Sequence, residues 1–116
     1  ERLQKIRDKV GHDFPLVLHG ASSVPEDLVE VCNKYGANIP GAKGVPEHMF
    51  EQARTLGIAK VNVDTDLRLA FTGAIRKVFA ESPADFDPRK YLAPARAAVK
   101  EVVKRKIKIF GSDGKV

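Results

Sequence analysis

Apolar positions along the chain fall into two kinds of run: short unbroken blocks, and longer stretches that repeat with helical period. Leu3 to Val10 reads as the end of a helix closed by Gly11. Pro15 to His19 (P-L-V-L-H) is a short apolar run entering Gly-Ala-Ser-Ser, the pattern of a buried strand followed by a tight loop. Ser23, with Glu26 three residues on, has the form of a capping box, and Pro25 falls in the first turn of the helix it predicts. Leu28, Val31, Cys32 and Tyr35 make the apolar face of that helix, which Gly36 ends. Residues 37–45 hold two glycines and a proline and read as loop. Pro46 to Leu56 is a second, short helix stopped by Gly57. Ile58 to Val63 is the second strand. Asp64 or Thr65 then caps a long helix with Leu67, Phe71, Ala74, Ile75 and Val78 on one face. Ser82 to Asp87 is a break containing Pro83. Pro88 opens the last helix, expected to bury Leu92, Ala95, Val99 and Val102, and Gly111 to Val116 reads as a frayed tail.

Strands separated by helices imply parallel pairing through crossovers, the α/β class. Two strands cannot make a parallel sheet buried on both faces, so the pattern reads as incomplete for a folding unit. Strict alternation puts Leu16 and Leu18 on one face of the first strand and Pro15, Val17 and His19 on the other. In the second strand it sets Ala59, Val61 and Val63 against Ile58, Lys60, Asn62 and Asp64. Both strands are therefore apolar toward the helices and turn polar at their C-terminal ends, which is what a barrel strand with an active site at its top requires.

Composition changes this picture little. The 116 residues are 43% apolar and 30% charged, typical of a soluble protein. Leu16-Val17-Leu18 is far too short for a membrane span, and no charged-then-apolar leader is visible. One cysteine, Cys32, excludes an intrachain disulfide; on an apolar helical face it reads as core, in a reducing cytoplasmic setting. Much of the net charge of +5 comes from Arg96, Lys100, Lys104 and Lys108, which recur every four residues as one solvated stripe. A basic stripe is also the footprint of nucleic-acid binding, but no aromatic residues interleave with it and no DNA-binding spacing is present.

Three features carry candidate chemistry. His19 ends a strand and is followed by Gly20, which leaves room for a ligand; it reads equally as a structural histidine or a metal ligand. His12 and His48 read as surface residues. Gly20-Ala21-Ser22-Ser23 leads into a helix, where backbone N–H groups and the Ser22 hydroxyl suit an anion, although a plain capping loop would look the same. Asn62-Val63-Asp64-Thr65-Asp66 opens the next helix and could hold an anion through N–H groups and Thr65. Its two aspartates would repel a phosphate, so their side chains must point away or bind hydroxyls or cations.

The segments Pro15-Leu-Val-Leu-His-Gly-Ala-Ser-Ser-Val-Pro25 and Gly57-Ile-Ala-Lys-Val-Asn-Val-Asp-Thr-Asp-Leu67 resemble class II, zinc-dependent fructose-bisphosphate aldolases. Asp87-Pro-Arg-Lys-Tyr-Leu92 and Phe110-Gly-Ser-Asp-Gly-Lys115 are similar to the same family's C-terminal signature. The resemblance implies that residues 1–116 are the C-terminal portion of one (β/α)8 TIM barrel: strands seven and eight plus the C-terminal helices, incomplete as a barrel. It implies that His19 is one of three histidine-type ligands to Zn2+ or another divalent cation. Gly20 and Ser22 would belong to a phosphate loop whose backbone also holds a monovalent cation. Asn62 would contact the dihydroxyacetone part of the substrate, Asp64 and Thr65 would form the second phosphate segment, and Arg89 would reach across a subunit interface to the other phosphate. The reaction implied is reversible cleavage of fructose 1,6-bisphosphate to dihydroxyacetone phosphate and glyceraldehyde 3-phosphate, through a zinc-stabilised ene-diolate. It needs no lysine Schiff base, which leaves Lys60 structural. The acid/base aspartate and the other zinc ligands would lie upstream, so this chain alone would be inactive. A homo-oligomer, dimer or tetramer, in the cytoplasm is implied, with no nucleic-acid or membrane partner. The rivals are a tagatose-bisphosphate aldolase of the same family and a non-catalytic phosphate-binding or assembly domain.

Overall fold

The computed structural model describes residues 1–41 and 43–115. Seven elements follow in order: α1 (Arg2–Val10), β1 (Leu16–Leu18), α2 (Glu26–Lys34), α3 (His48–Thr55), β2 (Ile58–Val61), α4 (Thr65–Glu81) and α5 (Pro88–Ile109). Every expected element forms, within a few residues of the expected bounds. β1 and β2 pair in parallel, with Val17 opposite Lys60 and Leu18 opposite Val61. The register slips by one residue between Leu16 and Val17, so Leu16 pairs with Ile58 and Ala59 is the extra residue. Strict alternation had set Ile58 on the face of Lys60; the slip breaks the alternation, and Ile58 is buried while Lys60 is exposed.

α4 packs along α5 on one side and against α2 on another. Gly73 lets α2 approach closely, since a Cβ there would lie 3.2 Å from both Cys32 Sγ and Val31 Cγ1. Cys32 is fully buried, and its Sγ is 3.3 Å from the Leu69 carbonyl oxygen. Burial pushes its thiol pKa up, partly offset by the charge of Arg76. The buried face of α4 is therefore Asp66, Leu69, Ala70 and Gly73. The expected face, Leu67 to Val78, is only half-buried, because α4 has helices on two sides and the tighter contact is the one toward α2. In α5 Ala95 and Val102 are buried as expected, Leu92 and Val99 are half-buried, and Lys106 joins the buried set. Phe50 of α3 meets Phe110 edge-on at 5.3 Å and is 2% exposed, a burial that contributes about 1.5–3 kcal/mol.

α5 ends in an ordered turn rather than a fray. The Gly111 N–H donates to Lys108 O and the Ser112 N–H to Ile107 O, the paired bonds of a glycine-terminated helix. Gly36 closes α2 with the same pair, to Asn33 O and from Ala37 to Cys32 O. Arg7, unremarkable in the sequence, is 6% exposed and ties the end of α1 to the entry of β1 through the carbonyls of Gly11 and Phe14. Val116 lies outside the described residues.

Candidate functional site

β1 and β2 run in the same direction, so their C-terminal ends lie side by side and the loops that leave them share one edge. The register that pairs Leu18 with Val61 continues as a hydrogen bond from Asn62 N–H to Leu18 O at 3.1 Å. One residue further along β1, His19 meets Asn62: Asn62 Nδ2 lies 3.0 Å from His19 Nδ1. Alternation had placed these two side chains at neighbouring strand ends on one side, and they are there. A nitrogen that binds a metal must be unprotonated, so Nε2 serves a ligand in the tautomer in which Nδ1 carries the proton and donates to the side-chain amide oxygen of Asn62; donor and acceptor roles in this contact follow the tautomer. His19 is exposed; His12 and His48, expected at the surface, are exposed as well.

The two candidate anion segments also meet. Thr65 N–H, at the start of α4, points to Ser22 Oγ at 3.3 Å. The loop after β1 thus supplies a hydroxyl to the N-terminus of α4, whose own N-cap residue, Asp64, makes no side-chain cap. Asp64 instead forms an exposed pair with Arg68, Nη2 to Oδ2 at 2.8 Å and Nε to Oδ1 at 3.0 Å. Asp66 turns inward. Of the alternatives open to these two side chains, each is seen on a cation or hydroxyl: Asp64 on Arg68, and Asp66 on Lys106 and the Ser23 hydroxyl.

The capping box does not form. α2 starts at Glu26 with Pro25 as its N-cap and no side-chain cap. Ser23 is occupied elsewhere: its Oγ donates to Asp66 Oδ2 at 2.9 Å, and its N–H reaches the same oxygen at 3.2 Å. Val24 N–H donates to Asp66 Oδ1 at 2.8 Å. A buried charged acceptor outcompetes a local cap. Hence the N–H groups of Ser23 and Val24 are taken by Asp66, and the helix start that the Ser22 hydroxyl reaches is that of α4, not α2.

Under this loop lies a cluster that sequence reasoning missed. Lys106 Nζ donates to Asp66 Oδ2 at 2.8 Å, Ser23 Oγ at 2.6 Å and Glu47 Oε1 at 3.0 Å. Its side chain is 6% exposed and that of Asp66 is 0% exposed. Arg105 completes the group, Nη2 to Glu47 Oε2 at 2.7 Å and Nη1 to Asp27 Oδ2 at 3.4 Å. Burial acts to raise the Asp66 pKa, but hydrogen bonds from Lys106, Val24 N–H and Ser23 together hold it below the ordinary value. Glu47 is lowered likewise, against its burial, by Lys106 and Arg105. The signal was present: Lys106 continues the Ala95, Val99, Val102 stripe, and Asp66 heads Leu69, Ala70 and Gly73. A lysine and an aspartate on buried stripes imply each other.

Gly44 abuts the loop from its other side. A Cβ at Gly44 would come within 2.3 Å of Ser22 O, and the Val45 N–H donates to that oxygen at 3.1 Å. Arg89 takes no part in this site. Its guanidinium folds onto Asp87, Nη2 to Oδ2 at 2.7 Å, and its side chain is 91% exposed. It lies at the opposite end of α5 from Lys106, roughly 26 Å along the axis at ~1.5 Å per residue.

Zinc needs three protein ligands and an open position in a catalytic site. His19 fits as one of them, an imidazole at a strand end whose Nδ1 is engaged by the Asn62 side-chain amide. Among the described residues, no group of three His, Cys, Asp or Glu side chains could complete the set. No helix among them is long and apolar enough to cross a membrane.

Residues 1–115 match the family described as "Fructose-bisphosphate aldolase class-II". The chain is 52% identical over 114 residues to a fructose-bisphosphate aldolase of Giardia intestinalis, covering 98% of this chain and 35% of that protein. It is 55% identical over 101 residues to a fructose-bisphosphate aldolase of Thermus caldophilus, covering 87% of this chain and 33% of that one. A fructose-bisphosphate aldolase of Helicobacter pylori is 44% identical over 116 residues, 100% of this chain and 37% of that protein. The chain spans about a third of the length of these relatives, and with its histidine, its two loops and its paired strands it belongs to the class II fructose-bisphosphate aldolase family.

Proposed function

We propose that this chain is the C-terminal portion of a class II aldolase barrel, strands seven and eight with the helices that follow. The whole protein cleaves fructose 1,6-bisphosphate reversibly to dihydroxyacetone phosphate and glyceraldehyde 3-phosphate. The observation that carries this reading is the His19–Asn62 contact at the C-terminal ends of two parallel strands, beside the Ser22–Thr65 junction. In a barrel, chemistry belongs at that end. His19 supplies one metal ligand, and Asn62 orients its ring while facing the dihydroxyacetone part of the substrate. Gly20, Ser22, Asp64 and Thr65 bind one phosphate through backbone N–H groups and hydroxyls, and a monovalent cation beside it balances charge. Arg89, outside the site of its own chain, serves the second phosphate of a partner subunit in a homo-oligomer. Zn2+, when bound, supplies Lewis acidity that polarises a ketone and acidifies the neighbouring C–H. The proton itself goes to a carboxylate from the rest of the protein. Lys60, exposed on β2, takes no covalent part.

The test uses the full-length protein. Its zinc content and its cleavage of fructose and tagatose bisphosphates are measured before and after chelation, and again in His19→Ala. Fructose bisphosphate should be preferred, chelation should abolish turnover, and His19→Ala should lose bound zinc together with at least a thousandfold of kcat, about the size of losing a catalytic metal's activation. Full turnover in the chelated protein, or full zinc content in His19→Ala, would remove the metal role.

A further inference from the structure

The segment Ser22–Val24 is held in a conformation it would not choose. Val24 sits at φ 47, the left-handed region that a β-branched residue avoids. Such a backbone persists only where its surroundings over-determine it. Here Asp66 binds the successive N–H groups of Ser23 and Val24, and Gly44 and Val45 close against the Ser22 carbonyl. The result is that Ser22 Oγ emerges opposite Thr65 N–H.

Asp66 can do this only as a buried anion with its charge answered. Lys106 answers it. Its ammonium has three N–H bonds and meets three acceptors, Asp66, Ser23 and Glu47, so none remains for a ligand. Asp66 and Glu47 also neutralise its charge, and Phe50 covers it, with Nζ 5.6 Å from the ring centroid. We propose that the buried Lys106–Asp66 pair is a positioning device: it sets the Ser22–Val24 conformation and through it the phosphate affinity of the site, so that a lysine near the end of α5 governs substrate KM without touching substrate. The identity of the ligand rests on the aldolase reading; the mechanical link from Lys106 to the loop does not.

The experiment compares full-length wild type, Lys106→Met and Ser23→Ala. Inorganic phosphate binding is measured by calorimetry, and kcat and KM are measured with fructose bisphosphate, zinc content serving as a control. Lys106→Met should weaken phosphate binding and raise KM by about tenfold, the loss of one well-placed hydrogen bond. Its kcat should stay within about threefold and its zinc content unchanged. Ser23→Ala keeps both charges paired and removes only the hydroxyl between them. It should raise KM and the phosphate dissociation constant about threefold, and it decides the matter where Lys106→Met does not fold. A purely structural role predicts instead a lower fraction of active protein, with KM and phosphate affinity at wild-type values; that result in the folded variant overturns the proposal. A wild type that binds phosphate without cleaving sugar bisphosphates sinks the aldolase reading but leaves the phosphate comparison intact. A wild type that binds no phosphate sinks the positioning role.

Discussion

Arg89 spends its hydrogen bonds on Asp87, and that choice bears on what it can do for a substrate. Asp87 accepts from the Arg89 backbone N–H at 2.9 Å as the N-cap of α5, and the Arg89 side chain then folds onto the same carboxylate. The hydrogen bonds from Arg89 hold the Asp87 pKa below its ordinary value and those to Asp87 hold the guanidinium above its own. The fork thus lies in solvent against Asp87 at the head of the helix, and in the proposed role a phosphate would replace only a solvated ion pair, at little cost. Arg89→Ala in the full-length protein should therefore lower kcat/KM for fructose bisphosphate by roughly tenfold to a hundredfold, the scale of a lost charge-assisted hydrogen bond. The melting temperature should barely move, because so exposed a side chain supports none of the core. Equal kcat/KM would take Arg89 out of the site. Single residues differ in how far the sequence exposes them. His19 and Asn62 were legible because strand alternation is a local rule and they end their strands. Ser23 was not, because the capping rule is also local and gives no weight to an aspartate more than forty positions away.

At the scale of elements, helices and strands were legible from period and punctuation, while their facing was legible only where one neighbour dominates. α4 shows the limit: with α2 and α5 both against it, the half-buried stripe from Leu67 to Val78 looks as apolar as the buried one and is longer. β2 shows another, since one slipped residue at Ala59 turns Ile58 away from the face that alternation assigns. Charge on a buried stripe carries its own consequence. Asp66 and Glu47 titrate below their unfolded values, so the unfolded chain takes up protons first as the solution is acidified. Their stabilisation is complete above the ordinary values of 3.8 and 4.5 and is lost as pH falls through the lower folded values. Lys106 faces both, with Arg105 facing Glu47 and Ser23 facing Asp66. Removing Lys106 strands a buried carboxylate, at a cost of about 3–5 kcal/mol near neutral pH. The gap in melting temperature between wild type and Lys106→Met should accordingly be widest above about pH 5 and narrow toward about pH 3. A gap that is constant over that range would mean the pair's charges do not carry the stabilisation.

Taken whole, the described chain is a slab rather than a ball. Its principal extents are 58 × 34 × 17 Å, and its radius of gyration is 17.3 Å against about 13 Å for a compact domain of this length. Its buried apolar residues include four alanines, while Phe14, Phe79 and Phe86 are 57%, 49% and 91% exposed. Val17, on β1, is 44% exposed, and a parallel pair of strands is normally covered on both faces. These are the proportions of a thin layer with little interior behind its site edge. Two parallel strands were legible in the sequence, but only the shape shows how much apolar surface they and their helices leave uncovered among the described residues. The chain of 116 residues on its own should therefore unfold in denaturant with a shallow transition and a low slope, since little surface is newly exposed. It should bind zinc no better than a lone exposed histidine and turn over no sugar bisphosphate, because one ligand cannot replace three. Equilibrium dialysis with zinc and an aldol-cleavage assay on the isolated chain check this. Stoichiometric zinc with measurable turnover would mean that His19, Asn62 and the two loops are sufficient for catalysis, and that the rest of the barrel is scaffold.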